Sequence, residues 1–314
     1  MAIRIGIVDF DSSHCVEFTR RINHLEIGDD QWVEGGRVVI GCAGSSVLSP
    51  ERLPGFNQQM DQMGVPLVAS PGEMLGKVDA VMILSVDGSA HWDRARPFIE
   101  AGVMCFVDKP FTCCLAEAKA MADLAGRHEV PIFSSSALRY AAEVVEFVAE
   151  TKGPNSPTGP ILGATVYGPA PTRPRNPGLF HYGMHAVEVL FTLMGPQCEW
   201  LTCVREGGEA GSDEVGAEVV TGYWSGGRLG SVHGIRSGTR AYGFVAFCEK
   251  AVRHVAIESK DYRFYRDLLK QVIRFFETGQ PPVDIDETLR IMAFIEAAGV
   301  SGRSCGVPTR CRHD

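Results

Sequence analysis

The sequence predicts an α/β protein of two domains. Over residues 1–135, short apolar runs of strand length alternate with amphipathic helical stretches, which is the pattern of βαβ units and of a parallel sheet. Beyond that point, loops rich in proline and glycine separate β-rich segments with turn signals such as Ser225-Gly226-Gly227. We therefore expect a doubly wound parallel sheet in residues 1–135 and an α+β domain with a largely antiparallel sheet in residues 136–314.

The elements of the first domain follow from periodicity. Apolar runs that suit strands covered on both faces are 3–8, 38–42, 80–84, 103–107 and 130–133. Apolar residues three and four positions apart predict helices over 15–22, 91–101 and 115–125. Thr112 is the expected N-cap of the last of these helices.

The second domain is predicted to begin with a helix over 137–149, and the loops 153–160 and 168–177 follow it. Its strands are expected at 161–167, 200–205, 218–224, 228–234, 242–248 and 251–257. Three further helices are expected at 179–194, 262–278 and 286–298, with a proline break at Pro281-Pro282 before the last.

Composition restricts the class of function. With 45% hydrophobic and 22% charged residues, the 314-residue chain has the composition of a globular protein. The net charge of -8 and the lack of clustered Lys and Arg argue against nucleic acid as a partner. No apolar run is long enough to cross a membrane, and the N-terminus has no signal peptide. We expect a cytoplasmic protein with a small-molecule substrate.

The ten cysteines do not predict a zinc site or a disulfide framework. No Cys-x-x-Cys pair occurs, and most of the cysteines lie in apolar segments, where they serve as small core residues. A bridge between Cys305 and Cys311 in the tail is the one disulfide that we consider.

Lys109 is the first candidate for a site residue. It follows the apolar strand 103–107, so it emerges at the carboxyl end of the parallel sheet, where open α/β sheets bind their ligands. Pro110 disfavours helical geometry at Lys109 and permits a cis peptide bond. A lysine so placed reaches a substrate oxygen, although a solvated lysine at a strand end is the alternative.

The predicted helix 179–194 carries the second set of candidates. One face is apolar, and the other bears polar residues at spacings of four, three and four: His181, His185, Glu188 and Thr192. Histidine suits proton transfer near neutral pH. The alternative is that these imidazoles face solvent or bond to the backbone.

Three segments of the chain also occur in a specific order and spacing. They are Val78 to Ser85 followed by His91, Ala101 to Ala118 with Asp108-Lys109-Pro110, and Gly178 to Gly195 with Gly183 and His185. Together they resemble the Gfo/Idh/MocA dehydrogenases, the family of glucose-fructose oxidoreductase and inositol dehydrogenase, over nearly the whole chain.

The resemblance implies a Rossmann-like first domain and an NAD(P)-dependent oxidoreductase acting on a sugar, polyol or related carbonyl compound. Lys109 would orient the substrate oxygen, and His185, with His181 nearby, would act as general acid and base. It also implies a homo-oligomer that associates through the second-domain sheet. Residues expected at NAD or NADP are Asp11, Ser12, Ser13, His14, Ser45, Ser85, Asp87, His91, Asp108 and Pro110.

The sequence departs from the family in three places. Asp9, Asp11 and His14 replace the glycines of the Gly-x-Gly-x-x-Gly phosphate loop, although Ser12 or Ser13 can still cap the following helix. The acidic residue that holds the ribose of NAD after the second strand is missing, and Ala43 to Ser46 occupy its place. His181 stands where relatives have the aspartate that partners the base.

Two other functions stay open at this stage. Loss of the glycines favours a non-redox ligand-binding or regulatory protein on the same fold. A metal-assisted lyase or hydrolase is the other alternative, because His181, His185 and Glu188 share one predicted helical face and Asp9, Asp11 and His14 form a second set of potential ligands. Substrate contacts are expected from loops around Arg139, Tyr140, Arg173, Arg175 and Tyr182.

Overall fold

A computed structural model describes residues 2–206, 216–258 and 262–313. The chain divides into two compact units, one of residues 1–135 with 265–285 and the other of 136–264 with 286–314. The segment 265–285, which the sequence interpretation assigned to the second domain, thus packs with the first. Among the described residues, no helix is long and apolar enough to cross a membrane.

The first unit contains a six-stranded parallel sheet with strand order β3-β2-β1-β4-β5-β6. This is the doubly wound order of a Rossmann fold, as predicted. The strands β1, β4 and β5 are apolar and buried because helices cover both faces of the sheet. The six strands are Ile3–Val8, Gly36–Cys42, Leu67–Val68, Ala80–Ile83, Met104–Val107 and Ile132–Phe133.

Four helices connect these strands: α1 His14–Asn23, α2 Leu53–Gln62, α3 His91–Glu100 and α4 Leu115–Arg127. Periodicity missed α2, whose segment contains proline, glycine and several amides and buries only Met60. The predicted cap of α4 was wrong. Cys114 is the N-cap and accepts the N–H of Glu117, whereas Thr112 donates its hydroxyl to the carbonyl of Cys114.

The second unit is built on a seven-stranded sheet with strand order β12-β11-β7-β10-β9-β8-β13. The sheet is antiparallel except between β10 and β7, which confirms the largely antiparallel prediction. Its strands are β7 Ile161–Pro169, β8 Cys198–Glu206, β9 Ala217–Trp224, β10 Arg228–Ile235, β11 Tyr242–Cys248, β12 Val252–Ile257 and β13 Thr309–Arg310.

One face of this second sheet is covered by the helix α6, and the other face is open within the unit. Leu229 on β10 and Phe247 on β11 are 48% and 46% exposed on the open face. Strand register places Thr165, Ser231 and Thr221 in a row across the same face. The open face therefore mixes hydroxyl groups with large apolar side chains.

The helices of the second unit differ from the prediction in two places. The predicted helix 137–149 is a short 3-10 turn, Ala137–Tyr140, followed by α5 Ala142–Glu150. The predicted helix 179–194 is likewise a 3-10 turn, Gly178–Phe180, a break at His181 and Tyr182, and then α6 Gly183–Met194. Gly178 adopts a φ of 58°, which starts this broken segment without the strain of a side chain. The last two helices of the chain are α7 Arg263–Thr278, which packs almost entirely with the first unit, and α8 Ile285–Arg303, which belongs to the second.

Cys305 and Cys311, the one pair considered for a disulfide, are both free thiols. Strand β13 pairs with β8, so the Sγ of Cys311 comes within 3.7 Å of the Sγ of Cys198. All ten cysteines are free thiols, and five of them are buried, as expected for small core residues: Cys15, Cys42, Cys105, Cys198 and Cys203.

Candidate functional site

The carboxyl ends of β1, β4 and β5 bring three candidate loops together. Val8 pairs with Ile83, and Ile83 pairs with Val107, so the three strands end at the same level. The residues that follow continue the ladder: the N–H of Leu84 bonds to Val8, and that of Asp108 bonds to Ile83. The loops after these strands therefore meet at one edge of the sheet, as the sequence predicts for a ligand site.

His91 fixes the position of the turn that carries Lys109. Its ring is completely buried, with Nδ1 2.9 Å from the carbonyl oxygen of Pro110 and Nε2 3.0 Å from that of Ser85. The ring thus joins the loop after β4 to the turn after β5. The peptide bond between Lys109 and Pro110 is cis, and Lys109 is half-buried.

Asp108 and His14 form a buried pair beside Lys109. The Nδ1 of His14 is 2.6 Å from Oδ2 of Asp108, and the ring of His14 stacks on Phe18. Burial alone would raise the pKa of Asp108, but the positive charges of His14, when protonated, and of Lys109 lower it to about 2. Asp108 is therefore a carboxylate near neutral pH, and its Oδ1 is buried with no hydrogen-bond donor in the described part of the chain.

Asp9 takes the place of the first loop glycine and keeps a backbone conformation that favours glycine. Its φ is 64°, and its buried side chain accepts hydrogen bonds from Ser85 Oγ at 2.5 Å and from Arg94 Nε at 2.9 Å. Burial raises the pKa of Asp9, and the two donors act against that effect. A side chain at Gly44 would place its Cβ 1.6 Å from Asp9 Oδ1, so Asp9 requires a glycine at that position.

Asp11 takes the place of the second glycine and is also buried. Its Oδ2 accepts the hydroxyl of Ser46 at 2.7 Å, and its Oδ1 accepts the N–H of Val86 at 3.0 Å. Asp11 thus ties the loop after β1 to the loops after β2 and β4. Both loop carboxylates are held by donors from the same domain.

These residues fit a dinucleotide bound at the carboxyl edge. The left-handed turn at Asp9 preserves the path of a glycine loop, and α1 directs its first N–H groups toward that edge, with no side-chain bond from its N-cap, Ser13. The orphaned Oδ1 of Asp108 is a buried acceptor of the kind that a ligand N–H or O–H group satisfies.

The other predicted cofactor residues lie in the loops of the same edge. Ser12 is buried, and its Oγ accepts the N–H of His14. Asp87 is buried and accepts both the N–H and the hydroxyl of Ser89. Ser45 is exposed after β2. His91 thus contacts both Ser85 and Pro110, while Asp87 serves as the cap of a short turn.

In the second unit, His185 lies in the first turn of α6. Its Nδ1 is 2.7 Å from the hydroxyl oxygen of Ser136, and the rings of Tyr182 and Tyr242 lie 5.8 Å away. Ser136 is completely buried and donates its N–H to Glu188. The imidazole therefore has a neutral hydroxyl partner.

The prediction that His181 shares a helical face with His185 was wrong. His181 precedes α6, in the break after the 3-10 turn, and its Nδ1 is 3.5 Å from the side-chain nitrogen of Asn176. Glu188, expected on a polar face, is buried and binds Arg139 at 2.8 Å. Arg139 also binds Glu287 at 2.6 Å, so this arginine of the expected substrate loops belongs to a buried ion network.

Neither proposed set of metal ligands forms a cluster. Asp9 turns to Arg94, Asp11 to Ser46 and His14 to Asp108, so the three side chains diverge. Among the described residues, no three His, Cys, Asp or Glu side chains are placed to hold a metal ion together.

Two residues that bind candidate site residues were not predicted from the sequence: Arg94, which binds Asp9, and Ser136, which contacts His185. Arg94 lies one helical turn after His91 on α3, and that spacing was the available signal for a second inward-facing residue. Ser136 gave no signal beyond its place at the end of a serine run. Its contact with His185 spans 49 residues of sequence and depends on tertiary packing.

Replacing Asp108 by Asn tests the buried pair through the pH dependence of stability. The folded pKa of Asp108 is about 2, below its ordinary value of 3.8, so its ionised form stabilises the fold above about pH 4. That advantage, on the order of 2 kcal/mol, should disappear as the pH falls toward 2. Urea unfolding of the wild type and of Asp108→Asn between pH 2 and 5.5 measures it. A difference in unfolding free energy that stays constant with pH would contradict the assignment.

Solved structures resemble the chain over nearly its full length. GenD2 from gentamicin A biosynthesis, in complex with NAD, has a TM-score of 0.81 at 15% identity, covering 98% of this chain and 96% of the other. Myo-inositol dehydrogenase from Corynebacterium glutamicum has a TM-score of 0.80 at 15% identity, covering 99% of both chains. Apo scyllo-inositol dehydrogenase from Lactobacillus casei has a TM-score of 0.79 at 11% identity, covering 99% and 98%. At these identities the likeness establishes the fold.

Part of the first domain also matches a family profile. No protein of curated function matches the sequence. Residues 46–135, which include the loop of Ser85 to His91 and the Asp108-Lys109-Pro110 turn, match the Gfo/Idh/MocA profile, described as an oxidoreductase family with an NAD-binding Rossmann fold. The match begins after the divergent loop of Asp9 and Asp11. The loop of Ser85 to His91 and the turn of Asp108 to Pro110 therefore lie in a segment that is similar to the NAD-binding oxidoreductases of the Gfo/Idh/MocA family.

Proposed function

We propose that the chain is an NAD(P)-dependent dehydrogenase or reductase of a sugar, polyol or related carbonyl compound. The observation that carries the proposal is the turn Asp108-Lys109-Pro110 at the carboxyl end of β5, held by His91 and His14. The named activity of the inositol dehydrogenases that share the fold supports a polyhydroxylated substrate.

Lys109 is the residue that we assign to the substrate oxygen. Its ammonium group donates a hydrogen bond to a hydroxyl or carbonyl oxygen and stabilises the negative charge that develops there during proton loss. The carboxylate of Asp108 precedes it in the chain, and buried contacts at Asp108 and Pro110 hold both neighbours of the lysine. This support limits the directions that the Lys109 side chain can take.

His185 is the residue that we assign to proton transfer. Since Nδ1 lies at the hydroxyl of Ser136, we assign the substrate proton to Nε2. In oxidation Nε2 takes the hydroxyl proton, and in reduction it returns a proton to the carbonyl oxygen. The catalytic role predicted for His181 stays a prediction, and the contact between His181 and Asn176 is the one that would orient its ring.

The cofactor is proposed to lie along the carboxyl edge of the first sheet. The first turn of α1 near Ser12 and Ser13 would receive the diphosphate, and Ser85, His91 and Asp108 would frame the nicotinamide end. NAD or NADP, when bound, accepts hydride from the substrate carbon or returns it. No acidic residue follows β2, where Ser45 is exposed, so the choice between the two cofactors is left open.

A non-redox binding protein is the second candidate function. Two carboxylates, Asp9 and Asp11, line the loop that cradles the diphosphate in relatives, and negative charge there opposes an anion. Each carboxylate is held by donors of its own domain, which reduces this opposition. Turnover with a polyol and a nicotinamide cofactor separates the two functions.

Substitution of the two catalytic candidates tests the proposed reaction. We expect Lys109→Ala and His185→Ala each to lower kcat/KM for polyol oxidation by roughly 10²- to 10⁴-fold, the usual contribution of an acid–base or charge-stabilising group. The exposed residues Lys77 and His128 provide matched controls, so Lys77→Ala and His128→Ala should keep full activity. Following NAD(P)H absorbance over a panel of sugars and polyols measures this. Equal activity in all four variants would reject these roles.

We also propose that copies of the chain associate through the open face of the second sheet. Leu229 and Phe247 are apolar and largely exposed there, and such a patch is typical of an interface. Light scattering should give a homo-oligomer for the wild type and a monomer for the variant with Leu229→Lys and Phe247→Lys. Val145→Lys, at an exposed apolar residue of α5, is the control and should leave the mass unchanged. A monomeric wild type at tens of micromolar would overturn this proposal.

A further inference from the structure

We infer that Ser136 is the positioning residue for His185. It takes the place of the aspartate that partners the base in the resembling family, where this chain has His181. This inference rests on the proposed role of His185 as acid and base. It starts from the 2.7 Å contact between Ser136 Oγ and His185 Nδ1, which joins two elements 49 residues apart in sequence. His181, at the sequence position of the missing carboxylate, lies outside α6 and contacts Asn176.

Ser136 is held firmly enough to orient a ring. Its side chain is completely buried, its N–H donates to Oε1 of Glu188 at 3.1 Å, and its Oγ accepts the N–H of Leu138 at 3.2 Å. Glu188 lies almost one turn beyond His185 on α6, so the same helix carries both the ring and the group that anchors the serine. Backbone and side chain of Ser136 are thus fixed independently.

A buried ion network extends this support. Glu188 binds Arg139, which lies three residues after Ser136, and Arg139 also binds Glu287 on α8. Glu188 therefore accepts from the serine backbone at one oxygen and from the guanidinium at the other. Besides the contact with His185, the segment that begins at Ser136 is therefore attached to α6 through Glu188 and to α8 through Glu287.

The hydroxyl decides which nitrogen of His185 is basic. A serine oxygen has two lone pairs, of which one accepts the N–H of Leu138. We assign the second lone pair to the Nδ1–H of His185, so that the neutral ring carries its proton on Nδ1 and presents Nε2 as the base. The opposite direction, with the Ser136 hydroxyl donating to Nδ1, would place the ring proton on Nε2, and a wild-type Nε2–H tautomer would therefore overturn the inference. After Nε2 takes the substrate proton, Nδ1–H still donates to Ser136, and the ring does not have to move.

Nitrogen NMR of the histidine ring in the full-length protein tests this inference. His185→Gln identifies the His185 signals, and the wild type should show the Nδ1–H tautomer in the neutral ring. In Ser136→Ala the Nε2–H tautomer should appear, and kcat should fall about tenfold while KM changes little, since substrate binding keeps its own contacts. Ser136→Thr retains the hydroxyl and should restore the tautomer and most of kcat.

Ser156→Ala is the matched control for loss of a buried hydroxyl. Ser156 is buried in the same unit and bonds to Glu150 and Gly159, so this variant should lose stability without changing the His185 spectrum or kcat. If activity is present and Ser136→Ala leaves the His185 tautomer unchanged, the positioning role is wrong and the proposed function stands. If no turnover is found but the tautomer still responds to Ser136, the proposed function fails and the control of the tautomer by Ser136 stands.

Discussion

The first domain depends on the buried hydrogen bonds that join the loops at the carboxyl edge of its sheet. Asp9 binds Ser85 and Arg94, His91 lies between Ser85 and Pro110, and His14 binds Asp108. Each of these side chains is nearly inaccessible to water except Arg94, so a lost partner would leave a polar group unsatisfied in the interior. The cost of such a loss keeps the loops in one arrangement.

This network explains how a Rossmann domain tolerates the loss of its loop glycines. Glycine is usual there because the turn needs a left-handed residue and close approach of the backbone. Asp9 adopts the left-handed conformation itself, and Gly44 on the adjacent loop leaves the space that the Asp9 carboxylate occupies. His14, in place of the third glycine, turns its ring to Asp108 and Phe18. Residues of several loops thus keep the left-handed turn after β1 without a glycine in it.

Local pattern in the sequence predicted most strands of both sheets, but it predicted neither the two-residue strands β3 and β13 nor the contacts between loops. The strands of the first sheet are apolar runs, and their parallel order follows from alternation with helices, as for Ile3–Val8. The helix 179–194 was predicted as continuous because its apolar spacing is regular, yet the chain breaks before Gly183. The contacts of Asp9 with Arg94, of His14 with Asp108 and of His185 with Ser136 span 85, 94 and 49 residues, and local periodicity carries no information at such separations.

The proposed reaction requires that the acidic loop after β1 keep a site for a nicotinamide dinucleotide. Calorimetric titration of the purified protein with NAD⁺ and NADP⁺, together with the melting temperature at saturating cofactor, tests it most directly. We expect saturable binding of at least one cofactor and a melting temperature that rises with its concentration, because a ligand of the folded state stabilises that state. Absence of both binding heat and a thermal shift at millimolar concentrations of either cofactor would contradict it.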